Sequence, residues 1–272
     1  MAAESTTRAR SGSMNADSSP TRGFRGLLRK WAIRCNLYPH ITLNRMPFKT
    51  FEFRELMRLS KLDKSERVLD LGCGTGTQTI IVGRRCASVV GVDTDPAWIT
   101  RAREYAARFE GDVDCTFLHG PVESQGLETN SFQKVLSFCV IEHIPNADEV
   151  LRELYRILEP GGEMILSADA LEGIEDEALI EKHRTDNHVV QYFRPESFRA
   201  ALIAAGFEVE ELYPIFRSQF ARKMFEQGIR SGFVFGFFRA IGEYFRLRLH
   251  EACCRQRERG LFLVARCRKP SA

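Results

Sequence analysis

Residues 68–77 read Val-Leu-Asp-Leu-Gly-Cys-Gly-Thr-Gly-Thr, an apolar run closed by glycines at every second position. Glycine is required where the backbone turns through positive φ, or where a ligand must touch main chain. A strand that breaks at such a turn and restarts as a helix leaves free N–H groups and a positive dipole end facing the turn. The expectation is a strand–turn–helix unit with a ligand at its edge, the building block of α/β folds with a parallel sheet.

The spacing narrows the ligand. A dinucleotide loop reads GxGxxG, and its third glycine would stand where this chain has Thr77. The chain has GxGxG instead, through Gly72, Gly74 and Gly76, with Asp70 two residues before the first glycine. A pyrophosphate has no use for a carboxylate that close, whereas a ligand bearing an ammonium and a sulfonium does. Asp93 closes the next apolar run, Val90-Gly91-Val92-Asp93, 19 residues after Gly74. That is the usual distance for a carboxylate taking both ribose hydroxyls through charge-assisted bonds. Alone, the loop and Asp93 could each be plain turns; in register with the strands they read as one site.

Short apolar runs alternate with helical patterns along the rest of the chain. Strands are expected at 67–71, 88–93, 112–119, 133–140, 162–168, 207–213 and 261–267. Helices are expected at 78–85, 96–109, 146–158 and 195–205. The fold expected is a Rossmann-like, seven-stranded, mostly parallel sheet with helices on both faces and a helical insertion before the last strand.

Residues 1–22 carry little to bury and read as a disordered tail, with Met14 as an alternative start. Residues 23–60 read as cap helices, and 61–272 as one domain that includes the insertion 214–259. The eight cysteines form no CxxC pair and no zinc spacing with histidine, so no metal site is expected. They suit a reducing compartment. With no signal-peptide core and no run of about 18 apolar residues, a cytoplasmic location is expected. The net charge of +3 is too small to argue for a nucleic-acid partner.

VLDLGCGTG (68–76), VVGVDTDP (89–96), FCVIEHIPN (138–146) and LRELYRILEPGGEMILS (151–167) resemble the class I S-adenosylmethionine (SAM)-dependent methyltransferases, in the broad group that includes ubiquinone- and menaquinone-pathway enzymes. The resemblance runs from about residue 62 to 168 and more weakly to 267. It implies a reversed final hairpin in the sheet and SAM as cofactor. It also implies that Asp70, Gly72, Cys73, Gly74 and Gly76 hold the methionine end and Asp93 the ribose. Thr94 would flank the adenosine, Val122 and Glu123 the adenine, and Phe138 with Cys139 would line the methyl-transfer site. Two departures stand out. Pro121 replaces an aspartate common among relatives, which shifts adenine recognition to backbone or to Glu123. Cys139 stands where some relatives have a glutamate suggested to bind metal.

Methyl transfer asks the enzyme to align the acceptor, exclude water and, for an acceptor that must lose a proton, supply a base. His143, past the fourth strand, is the candidate base, with Glu142 beside it to orient it; a hydrogen-bonded turn is the plainer alternative. His183 and His188 fall in a polar stretch, 181–193, expected as a loop over the site or as plain surface. Tyr192 and Phe193 are expected to pack under the helix at Pro195.

From Pro214 onward there are 13 Lys and Arg against 4 Asp and Glu, with many phenylalanines. Val234, Phe237, Phe238, Ile241, Phe245 and Leu249 share one helical stripe. Three readings stay open: a lid whose stripe packs on the core, a peripheral membrane-surface helix, and nucleic-acid binding, which lacks any recognisable module. The acceptor expected is a small or lipid-like molecule. The rival functions are an NAD-type oxidoreductase and a SAM-binding protein without catalysis.

Overall fold

Seven strands form one sheet: β1 (Arg67–Leu71), β2 (Ser88–Asp93), β3 (Cys115–His119), β4 (Phe132–Phe138), β5 (Leu158–Asp169), β6 (Glu208–Ile215) and β7 (Phe262–Arg268). Their order is β3-β2-β1-β4-β5-β7-β6. All neighbours run parallel except β7, which is antiparallel to both β5 and β6. The order therefore reverses between β1 and β4, opening a crevice beyond their carboxyl ends where ligands sit in such sheets. The computed structural model describes residues 45–109 and 113–271, all within one compact unit. The expected tail 1–22, the alternative start at Met14 and the first part of the cap, 23–44, lie outside the described residues.

Strand alternation divides the core. Leu69, Leu71, Val90 and Val92 face one side, under α4 (Ala147–Ile157) and α6 (Pro195–Ala204). Val68, Val89, Leu136, Ile165 and Val264 face the other. That side is covered by α1 (Pro47–Ser60), α2 (Thr77–Gly83) and α7 (Gln219–Ser231). A third group, Cys73, Ile99, Ala102 and Phe117, seats α3 (Pro96–Ala106). Pro96 opens α3, and Asp95 caps it by accepting from the Ala97 and Trp98 amides.

Three expectations change. The strand expected from residue 162 begins earlier, at Leu158: Leu158 pairs with Phe132, and pairing resumes at Glu163 with Lys134 past an irregularity that holds Pro160-Gly161-Gly162. The supposed loop 181–193 begins as helix α5 (Glu177–Asn187), capped by Asp176. Its buried residues are Leu179 and His183, too few apolar positions to show a helical period. In the insertion, α8 (Phe237–Cys253) turns its apolar stripe outward. The face it buries is Ala240, Tyr244, Leu247 and Glu251. Polar anchors decide this: Arg54 of α1 donates to the Tyr244 hydroxyl at 2.8 Å, and Glu251 accepts from the Arg217 and Ser218 amides at 2.9 and 2.8 Å. The reading in which the stripe packs on the core is thus overturned.

Candidate active site

The glycine loop is built by close approach. Gly72 has φ +70°, and a Cβ there would lie 2.3 Å from the Val140 side chain. Gly76 has φ +74°, and its Cβ would meet the Phe117 ring at 2.8 Å. Both positions exclude side chains on conformation and on space. Asp93 braces the loop from the next strand, accepting from the Gly74 amide at 2.8 Å and from the Asp95 amide at 2.9 Å.

Beyond the loop lies a cleft of about 690 Å³. Gly72, Gly74, Asp93 and Thr94 line one wall, Val122 and Glu123 another, and His143 a third. These are seven of the residues anticipated from sequence. Asp70, Cys73, Gly76 and Phe138 stand behind the cleft wall. Asp70 is buried, and its Oδ2 accepts from the Thr79 hydroxyl at 2.6 Å, while Oδ1 has no hydrogen-bond partner among the described residues. Burial pushes its carboxyl up to about 7. Phe138 packs its ring on Phe53, so the residue just past β4, Cys139, reaches the cleft instead.

A second cavity, of about 510 Å³, adjoins the first: Trp98, Cys139, His143 and Asn187 line both. Its far walls are aromatic, with Phe48, Phe225, Phe233 and Phe262. Its floor is charged. Glu142 is fully buried, and neither of its carboxyl oxygens has a hydrogen-bond partner among the described residues. Burial, then Asp169 nearby, raises its carboxyl well above the usual range. Burial likewise raises Asp169, to about 7. Lys49, from α1, lies 3.0 Å from Glu52 and donates to the Phe138 carbonyl at 3.3 Å. Burial alone would lower its pKa, but Glu52, Cys139 and Asp169 together outweigh that and hold the ammonium charged. The Ser167 hydroxyl joins this group, donating to Glu52 at 2.5 Å and accepting from the Cys139 amide at 3.0 Å.

Ligand atoms of Cys139, Glu142 and Asp169 lie within 4.8 Å of one another, a spacing that could hold a metal ion. A cation there would face the Lys49 ammonium across the same carboxylates and a thiol that burial keeps protonated. Cys139 itself has φ +53°, an uncommon strain for a residue with a side chain, at the junction of the two cavities.

His143 is half-buried, and burial lowers its pKa, so it is neutral near pH 7. Its Nδ1 lies 3.4 Å from the His188 carbonyl, and its Nε2 is 4.0 Å from Glu142. The other two candidate histidines separate: His188 lines the cleft and His183 the inner cavity. His183 is buried, pushed down to about 4 by that burial, with Nδ1 3.0 Å from the Tyr192 hydroxyl. Phe193 packs on Phe198 of α6 as expected, but Tyr192 belongs to the His183 side. Lys49, Glu52, Asp169 and Trp98 were not singled out from sequence. They come from three separate elements, and only the acidic end of β5 and the Lys-x-x-Glu spacing in α1 mark any of them in the sequence.

A family model described as a methyltransferase domain matches residues 62–219. Arsenite methyltransferase of Aquipseudomonas alcaligenes is 38% identical over 110 residues, which are 37% of this chain and 32% of that relative. The chain thus spans about a third of that relative's length. Ubiquinone biosynthesis O-methyltransferase of Pseudomonas entomophila is 26% identical over 212 residues, covering 73% of this chain and 86% of the relative. Among solved structures, phosphoethanolamine N-methyltransferase 2 of Haemonchus contortus, in complex with S-adenosyl-L-methionine, superposes with a TM-score of 0.57 at 20% identity. That match covers 81% of this chain and 52% of the other, and it speaks for the fold.

Proposed function

The chain belongs to the methyltransferase-domain family, and from that premise we propose that it moves the methyl group of SAM onto a small, largely apolar acceptor bearing a hydroxyl or amino group. The observation that carries the proposal is the pair of adjoining cavities with Cys139 and His143 at their junction. The outer cleft has the parts a SAM molecule needs. The loop at Gly72 leaves no room for a Cβ, Asp93 stands at the ribose distance, and Val122 with Glu123 forms an adenine wall. SAM supplies an electrophilic methyl on a sulfonium. The inner cavity suits the acceptor: aromatic walls take an apolar body, and the unpartnered Glu142 carboxyl offers a hydrogen-bonding group to its polar end.

The protein's own work is alignment, exclusion of water and proton handling. Trp98 and Asn187 border both cavities, with Cys139 and His143. For an acceptor that must lose a proton, neutral His143 takes it at Nε2 while Nδ1–H faces the His188 carbonyl. An NAD-type oxidoreductase is disfavoured by Thr77 in place of a third glycine and by the family match. Turnover separates the proposal from SAM binding without catalysis.

The experiment is calorimetry with SAM, S-adenosylhomocysteine and NAD, followed by labelled-SAM transfer to metabolite extracts. The first two ligands bind and NAD does not; label appears in an organic product. His143→Ala slows transfer by about 10²–10⁴-fold with cofactor affinity intact. Because burial lowers the His143 pKa, the acid limb of the wild-type profile lies below 6.5, the ordinary histidine value. NAD binding without SAM binding sinks the proposal.

A further inference from the structure

We infer that the outward stripe of α8 is a docking surface for an anionic lipid membrane. Val234, Phe238, Phe245 and Leu249 are 61%, 87%, 61% and 63% exposed. Phe237 stands beside them with its ring 5.5 Å from that of Phe238. Phe237, Phe238, Phe245 and Leu249 share one face of α8 along about three turns, and Val234 extends the exposed apolar strip just ahead of the helix. Scattered apolar residues on a surface need no explanation, but a contiguous aromatic ridge marks an interaction site.

This ridge is not the helix's packing face. α8 already buries Ala240, Tyr244 and Leu247. It therefore has two apolar faces, and the second gains nothing from the described fold. A helix lying in a membrane interface has this form, with Phe and Leu toward the acyl chains and Arg toward the headgroups.

Charge selects the occupant. Between Gly236 and Gly260 there are six arginines and three glutamates. Glu251 is buried against Arg217, and Glu243 lies 4.0 and 3.2 Å from Arg239 and Arg246. Arg248, Arg255, Arg257 and Arg259 are exposed, with Glu258 the one exposed acid in that stretch. A second copy of the chain meeting this ridge about a two-fold axis would set arginine against arginine. An anionic lipid surface meets it with the opposite sign.

Position adds to the case. Phe233 lines the inner cavity, and the next residue, Val234, begins the exposed ridge. A membrane held against α8 would lie beside the wall of the acceptor cavity, where an apolar molecule could pass from one to the other. Docking is a property of α8 and stands apart from whether the cleft transfers methyl groups.

The test is co-sedimentation of the full chain with vesicles of phosphatidylcholine alone and of phosphatidylcholine with phosphatidylglycerol, at low and high salt. Wild type sediments with the anionic vesicles only, and less so as salt screens the arginines. Phe238→Glu with Phe245→Glu lowers that partitioning by about tenfold or more. Both side chains are exposed, so S-adenosylhomocysteine affinity stays at the wild-type value and reports an intact fold. Absence of wild-type binding to anionic vesicles overturns the inference, as does a double variant that binds like wild type. A wild-type dimer that the double variant converts to monomer assigns the ridge to a second copy instead.

Discussion

Asp93 shows how one side chain serves two ends. Its carboxylate holds the Gly74 and Asp95 amides, tying the glycine loop to the start of α3, while it lines the cleft where a ribose would lie. Asp93→Ala removes both functions. The expected loss in S-adenosylhomocysteine affinity is about tenfold to a hundredfold, from roughly 1.5–3 kcal/mol for hydrogen bonds to a charged group. Because two backbone donors also lose their acceptor, the melting temperature falls as well. Calorimetry and thermal melting read the two effects separately, and unchanged affinity in a folded variant removes Asp93 from the site.

Helix α1 is the element that closes the inner cavity. It brings Lys49 and Glu52 to the acidic floor, and Phe48 to the wall. The Phe48 ring meets Phe216, Phe225 and Phe233 edge-on at 4.8–6.3 Å, joining α1 to α7 and to the segment before α8. Phe48→Leu shortens that wall without emptying it. The expected result is a raised KM for the acceptor with SAM affinity unchanged, since the cleft's walls belong to other elements. Steady-state kinetics on a turned-over acceptor checks it, and a shift confined to SAM would place the cavity on the wrong side of the reaction. Helix α5 carries the opposite lesson. Its polar sequence reads as loop, yet it delivers His183 to the cavity because Leu179 and His183 find buried places there.

For the molecule as a whole, buried carboxyls govern pH dependence. Asp70 ordinarily titrates near 3.8 and is raised to about 7 in the fold, chiefly by burial. The folded state therefore holds the proton more tightly, and the associated stability is full below 3.8 and lost as pH rises through about 7. Asp70→Asn keeps an acceptor for Thr79 and removes this titration. In the ligand-free protein its stability relative to wild type should increase between about pH 4 and 7, by on the order of 4 kcal/mol at most, and then level off. Denaturant melts across that range check it, and a difference constant with pH would mean that Asp70 is ionised in the fold. Asp169 adds to the same trend, and His183, pushed down to about 4, opposes it as pH falls.

The sequence by itself determined the strands and the glycine loop, because these rest on local rules, while the reversed end of the sheet is what the resemblance to SAM-dependent methyltransferases implies. Strand period, turn chemistry and the Gly72, Gly74 and Gly76 spacing act within a few residues of one another. Gly72, Gly74, Asp93 and His143 of the cleft are legible as residues at or just past strand ends that face the crevice, whereas Thr94, Val122 and Glu123 are implied by the family resemblance. Only the tertiary structure decided the inner cavity, where Lys49, Cys139, Glu142, Asp169 and His183 converge from segments far apart in the chain. No period or motif records that meeting. The tertiary structure likewise decided which face of α8 is buried. Its sequence offers two apolar faces, and hydrogen bonds from Arg54 to Tyr244 and from the Arg217 and Ser218 amides to Glu251 chose between them.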